Sequence, residues 1–126
     1  MIGMGKITAI YCRTAHKDKT SMDMQKRGLL EFARQHGHGN VCCYIDKGAS
    51  GLIFDRPGFQ KMEMDIQAGK IKAVIVKDVS RIGRHMLGTV KWVNDLAGKG
   101  ISFICTTRPY ENFTFMAQLS EWYSEL

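Results

Sequence analysis

"KAVIVKDVSRIGR", residues 72–84, decides how this chain folds. After its first lysine, "KAVIV" is apolar at every position. A half-exposed strand alternates apolar and polar residues. An unbroken short apolar run is instead expected where helices cover both faces of a parallel sheet. The run then ends in charge: Lys77, Asp78, Ser80, Arg81 and Arg84 follow within a few residues. A helix is predicted next, from about Arg84 to Ala97, with Met86, Val90, Val93 and Ala97 at i, i+4, i+7 and i+11. Gly98 and Gly100 end it.

The same strand–loop–helix unit recurs on either side. Ile7–Cys12 reads as the first strand. Thr20 or Ser21 can cap a helix running to about His36, with Met22, Leu29 and Ala33 on one face and Gly37 closing it. Val41–Ile45 is the second strand. "DKGASGLIFDRPG", residues 46–58, is a loop rich in small residues. Pro57 suits the first turn of a further helix that shows Phe59, Met62 and Ile66 and ends near Gly69. "ISFICT", residues 101–106, is the fourth strand. From about Asn112, Phe115, Leu119, Trp122 and Leu126 share one face of a last helix, and an apolar stripe of that kind needs a partner. The alternation predicts an α/β, three-layer domain with a mostly parallel central sheet flanked by helices. At 126 residues it fits one domain with a single core.

Composition narrows the function. The chain is 44% hydrophobic, which suits a globular protein. Lys and Arg outnumber Asp and Glu 18 to 12, for a net charge of +6, which favours a polyanionic partner, most simply nucleic acid. A basic protein with no such partner has the same charge, so charge alone does not decide. Cys12, Cys42, Cys43 and Cys105 all fall in strand-like runs, and two are adjacent. That arrangement suits neither a CxxC metal knuckle nor a secreted disulfide framework. It predicts buried, reduced thiols and a cytoplasmic protein. "MIGMGK" lacks the apolar region of a signal peptide. No apolar run approaches the ~20 residues that span a membrane.

Open α/β sheets bind ligands at the carboxyl ends of their strands. Here those ends carry Arg13-Thr14-Ala15, Asp46-Lys47 and the segment from Lys77 to Arg81, with Arg56 in the loop before its helix. Arg81 and Arg84, three apart, meet on one side of a helical turn. Guanidinium groups are planar forks that hold phosphate oxygens through paired hydrogen bonds. Taken singly, each arginine is as well explained by a surface salt bridge. Four at one sheet edge point to phosphate and to stabilising a phosphoryl-transfer transition state. No metal or cofactor is expected, because His16, His36, His38 and His85 are scattered and no compact carboxylate cluster is present.

These residues resemble the catalytic domain of the serine site-specific recombinases, the resolvase and invertase family. The matching pieces are "YCR", the Gln25 of "SMDMQ", "YIDKGASG", "FDRPGFQKM" and "VIVKDVSRIGR", in order along almost the whole chain. "EWYSEL" resembles the start of the family's long helix for subunit contact and DNA approach. Ser80 before Arg81 and the cysteine after Tyr11 are similar to the large serine recombinases of mobile elements. The resemblance implies a mechanism. A serine two residues after the strand-end arginine attacks a DNA phosphodiester and forms a phosphoserine link. Subunits then rotate within a tetramer, and the strands rejoin.

Carried onto this chain, Arg13, Arg56, Arg81 and Arg84 would bind and polarise the scissile phosphate. Gln25 and Asp46 would organise the site, and Ser50 lies in the matching mobile loop. Ser80 stands where many smaller relatives have aspartate. Double-stranded DNA would be the partner, with dimers or tetramers formed by the full-length protein and no membrane involved. A domain of residues 1–126 is expected, with about 112–126 starting the long helix and the carboxyl-terminal DNA-binding region absent. That stop inside an amphipathic helix reads as an excised domain.

Ala15 is the departure. It occupies the family's nucleophile position, and a methyl group cannot form a phosphoester. Thr14 has a hydroxyl, but neighbouring strand side chains point to opposite faces. The domain is therefore expected to be inactive as written, whether serine was replaced by hand or lost naturally. The otherwise undisturbed "RTAHKDKT" favours natural loss. The rival class is a non-catalytic DNA-associated or assembly module that keeps the recombinase fold. A phospho-acceptor domain using Asp78 needs paired carboxylates after the first strand to hold magnesium, and "RTAH" stands there instead. A nucleotide-binding domain is also a poor fit, since no GxxxxGK[ST] is present.

Overall fold

The computed structural model describes residues 6–14, 19–47, 56–78, 81–82 and 86–107. Its elements run β1 (Ile7–Thr14), α1 (Lys19–Gln35), β2 (Val41–Lys47), α2 (Pro57–Gln67), β3 (Ile71–Val76), α3 (Met86–Gly98) and β4 (Ser102–Cys105). The strands form one four-stranded sheet in the order β2-β1-β3-β4. Every pairing is parallel. The α/β class and the flanked parallel sheet expected from the sequence are both present.

Strand alternation divides the core into two layers. Ile10 and Cys12 of β1 and Ile75 of β3 pack with Met22, Leu29 and Ala33 of α1. On the other face, Ala9, Tyr11, Tyr44, Val74, Val76 and Phe103 meet Phe59, Met62 and Ile66 of α2 and Val90, Val93 and Leu96 of α3. One helix lies on one face and two on the other because the chain reverses direction across the sheet. β1 leads outward to β2, and the chain then returns past β1 to β3. The crevice between the carboxyl ends of β1 and β3 is therefore the topological switch point, the usual ligand position in such sheets.

Several expected boundaries shift. β1 ends at Thr14 rather than Cys12, and β2 ends at Lys47 rather than Ile45. Arg13 and Asp46 are thus strand residues, held opposite one another in the β1–β2 register, not loop residues beyond it. α1 already begins at Lys19, so Thr20 and Ser21 lie inside its first turn instead of capping it. On α3 the inward position is Leu96, 2% exposed. Ala97, expected on that stripe, faces solvent. Position 96 sits three residues past Val93, nearer the stripe's centre than position 97. Gly37 and Gly69, expected helix ends, adopt φ of 77° and 73°, the left-handed conformation that closes α1 and α2. All four cysteines are free, but only Cys12 and Cys105 are buried, while the adjacent Cys42 and Cys43 are half-buried.

Candidate active site at the carboxyl edge of β1 and β3

Asp46 is the first fixed point. Its side chain shares a sheet face with Tyr11 and Arg13, since Tyr11↔Tyr44 and Arg13↔Asp46 are register partners. Asp46 Oδ1 accepts the Gly58 N–H at 2.8 Å and Oδ2 accepts the Phe59 N–H at 2.9 Å. These are orphan donors of the first turn of α2, where a negative charge also complements the helix dipole. Asp46 therefore caps α2 from a distant strand. This arrangement requires glycine at position 58. A Cβ there would lie 2.7 Å from the Ile45 carbonyl oxygen and 3.0 Å from Asp46 Oδ2. The Tyr11 hydroxyl completes the group by donating to Asp46 Oδ2 at 2.7 Å.

The capped helix places Arg56. This residue immediately precedes Pro57 and is extended, with φ −130° and ψ 118°, as a residue before proline prefers. Its side chain runs inward, and the residue as a whole is only 1% exposed. The guanidinium lies 4.7 Å from the Phe59 ring centroid and 5.6 Å from that of Tyr11. Its Nη1 donates to the Arg81 carbonyl at 2.9 Å, and its Nη2 donates to the Ile82 carbonyl. Burial pulls its pKa below the usual arginine value, opposed by the nearby Tyr11 and Asp46.

Arg13 approaches the same point from β1. Arg13 as a whole is 2% exposed, and its Nε donates to the Arg81 carbonyl at 3.1 Å. Two guanidinium groups from separate elements thus meet on one backbone oxygen. The β1–β3 pairing ends at Ile10↔Ile75, so Arg13 lies beyond it. Gln25 of α1 takes over there. Gln25 Oε1 accepts the Arg13 N–H at 3.1 Å, and Nε2 donates to the Arg13 carbonyl at 3.2 Å. One side-chain amide replaces the hydrogen bonds a neighbouring strand would have made. Arg81 itself carries the most accessible guanidinium of the three, with its side chain 23% exposed and 3.7 Å from Asp78. Its Nε is buried with no hydrogen-bond partner among the described residues.

The structure therefore brings Arg13, Gln25, Asp46, Arg56 and Arg81 to one edge. Ala15, Ser50, Ser80 and Arg84 lie outside the described residues, as does the expected helix from about Asn112. Among described residues, no group of three or more His, Cys, Asp or Glu is arranged to hold a metal ion. No described helix is long and apolar enough to cross a membrane.

The nearby hydroxyl and thiol groups are sealed. Tyr11, Cys12 and Thr14 are 0%, 0% and 6% exposed. Burial pushes the Cys12 thiol up to about 12. Burial, reinforced by the bond to Asp46, raises the Tyr11 phenol far above its ordinary range. Sequence reasoning placed Arg13, Gln25, Asp46, Arg56 and Arg81 here but overlooked Tyr11, Gly58 and Phe59. The available signal was spacing. Tyr11 lies two strand residues before Arg13 and so shares its face, and Gly58 sits in the first turn after Pro57.

The fold and site define an open parallel α/β domain with arginines gathered at its switch point. The chain belongs to the resolvase N-terminal domain family, whose model matches residues 8–126, the serine-recombinase family its motifs resemble. A putative DNA recombinase of Bacillus subtilis (strain 168) is 28% identical over 108 residues, covering 82% of this chain and 21% of that protein. The chain thus spans about a fifth of this relative's length. The N-terminal catalytic domain of TP901-1 integrase superposes with a TM-score of 0.81 at 26% identity, over 95% of this chain and 96% of that one. A resolvase family site-specific recombinase from Streptococcus pneumoniae shares the fold, with a TM-score of 0.74 at 24% identity, over 95% of this chain and 85% of that one.

Proposed function

We propose that this chain is the phosphodiester-binding catalytic domain of a site-specific DNA recombinase, made inactive in strand cleavage by Ala15. The observation that carries this reading is the convergence of Arg13 and Arg56 on the Arg81 backbone at the switch point. Such an arrangement preorganises positive charge where a phosphate would sit, with no reorganisation needed at the moment of reaction. Arg13, Arg56, Arg81 and Arg84 supply the field around the scissile phosphate. Gln25 and Asp46 hold the elements that carry them, and Ser50 and Ser80 are assigned a supporting part by the family resemblance alone. With serine at position 15, its oxygen would bond to phosphorus as the phosphorus–deoxyribose oxygen bond breaks. With alanine there, the sealed Tyr11, Cys12 and Thr14 offer no substitute.

Double-stranded DNA is the proposed partner, and assembly into dimers or tetramers belongs to the longer protein. Ala15 also supports a second reading, a DNA-associated assembly module that keeps the fold and performs no cleavage. A nicked suicide DNA substrate tests both. In the context of a full-length recombinase, Ala15→Ser is expected to yield a covalent protein–DNA adduct, and the alanine form none. No adduct from the serine form would sink the intact-site reading and favour the module. An adduct from the alanine form would overturn the claim of inactivity.

A further inference from the structure

We infer that Arg56 is a positioning residue that acts through Arg81, rather than a direct ligand of the phosphate. This rests on the proposed phosphate site and gives Arg56 a different task within it. Arg56 is fixed at both ends. Its backbone is set by Pro57 and by the Asp46 cap on α2. Its guanidinium is set by the carbonyls of Arg81 and Ile82. The rings of Tyr11 and Phe59 lie against the same group. To reach a ligand, Arg56 would have to strip the buried Ile82 carbonyl of its bond and give up the Arg81 carbonyl, which Arg13 also holds. An unsatisfied buried carbonyl costs more than an ordinary hydrogen bond contributes.

The residue whose backbone it grips is differently placed. Arg81 keeps its side chain 23% exposed, against 1% for the whole of Arg56. Holding consecutive carbonyls fixes both of their peptide planes, and the first of these contains the Arg81 Cα from which its side chain leaves. A planar fork can grip two carbonyls at once, which a lysine ammonium cannot do with the same geometry.

Arginine side-chain NMR on the 126-residue chain tests this in three arms. In the ligand-free protein, the Arg56 guanidinium protons should exchange with water at least about tenfold more slowly than those of exposed Arg27. Exchange as fast as that of Arg27 would overturn the inference without any variant. Added inorganic phosphate should then shift the Arg81 side-chain signal and leave that of Arg56 in place. Equal titration of both, with one midpoint, would make Arg56 a ligand and overturn the inference.

Finally, Arg56→Lys should move the Arg81 and Ile82 amide signals before any ligand is added. It should also weaken the phosphate midpoint at Arg81 by about tenfold, while the Val90 and Val93 amides stay in place. Unmoved Arg81 and Ile82 amides would count against the positioning role. If phosphate moves neither arginine in the parent chain, the phosphate reading fails. Proton exchange and the Arg56→Lys amides still decide whether Arg56 positions Arg81.

Discussion

The Tyr11 phenol and the Asp46 carboxylate, 35 residues apart in sequence, are joined by a buried 2.7 Å hydrogen bond. Through it, the central strand β1 is tied to the group that caps α2. Removing the hydroxyl with Tyr11→Phe keeps the ring and its edge-on contact with Phe59, 5.5 Å between centroids. Asp46 would still accept from Gly58 and Phe59. The expected cost is that of one hydrogen bond to a charged group, about 1.5–3 kcal/mol. Urea unfolding should show a lower midpoint with an unchanged slope.

Gly58 and Gly28 make opposite predictions from the same substitution. Gly58→Ala places its Cβ 2.7 Å from a backbone oxygen, which cannot swing aside as a side-chain tip would. The start of α2 must shift, and destabilisation of about 1–3 kcal/mol is expected. A Cβ at Gly28, inside α1, meets nothing within 4 Å. Gly28→Ala should therefore stabilise the protein by about 0.5–1 kcal/mol through helix propensity alone. Melting temperatures that move the same way for both variants would contradict this account of the site.

Much of this organisation is legible from residue order, and the reasons differ element by element. The unbroken apolar run at 73–76 fixes β3 because burial on both faces leaves no room for polar alternation. Arg13 and Asp46 look like loop residues because charge normally marks a strand's end. They stay in the sheet because the parallel register sets them against each other on one face, and register is not written in either segment alone. The capping of α2 is hidden for a related reason. Its acceptor comes from a strand 12 residues away from Gly58, not from the residue before the helix. Gln25 could be assigned to the site by resemblance. That it substitutes for a missing strand partner depends on where the β1–β3 pairing stops.

The buried titratable groups predict an alkaline weakness. Cys12, raised to about 12, stays neutral in the fold at pH values where the unfolded chain ionises. Its stabilising contribution is complete below the unfolded value, about 8.5. It is lost as pH rises from there toward the folded value. Tyr11 and Tyr44 are shifted upward too, chiefly by burial, and they extend the loss above about pH 10. Stability should therefore fall steadily with pH beyond about 8.5, and Cys12→Ala should flatten the onset of that fall. Urea midpoints measured across this range check it. An identical slope in the variant would show that Cys12 does not contribute.

Gln25 predicts an asymmetry that separates hydrogen-bond chemistry from side-chain size. Its amide uses both of its characters, accepting from the Arg13 N–H and donating to the Arg13 carbonyl. Gln25→Ala removes both partners and should cost about 1–3 kcal/mol. It should also speed exchange of the Arg13 amide proton, which no strand protects on that side. Gln25→Glu has nearly the same shape, but an ionised carboxylate only accepts. It can still take the Arg13 N–H, but it sets a negative oxygen against the Arg13 carbonyl. At neutral pH the glutamate variant should thus be at least as destabilised as the alanine variant, despite better packing. Below about pH 4, where the carboxyl is protonated, its O–H can donate to that carbonyl. The glutamate variant should then regain ground on the alanine variant under the same acidic conditions. The comparison is read as the difference between their unfolding midpoints at each pH. A difference that stays constant from neutral to acidic pH would mean that Gln25 fills space at this edge and does not complete the sheet.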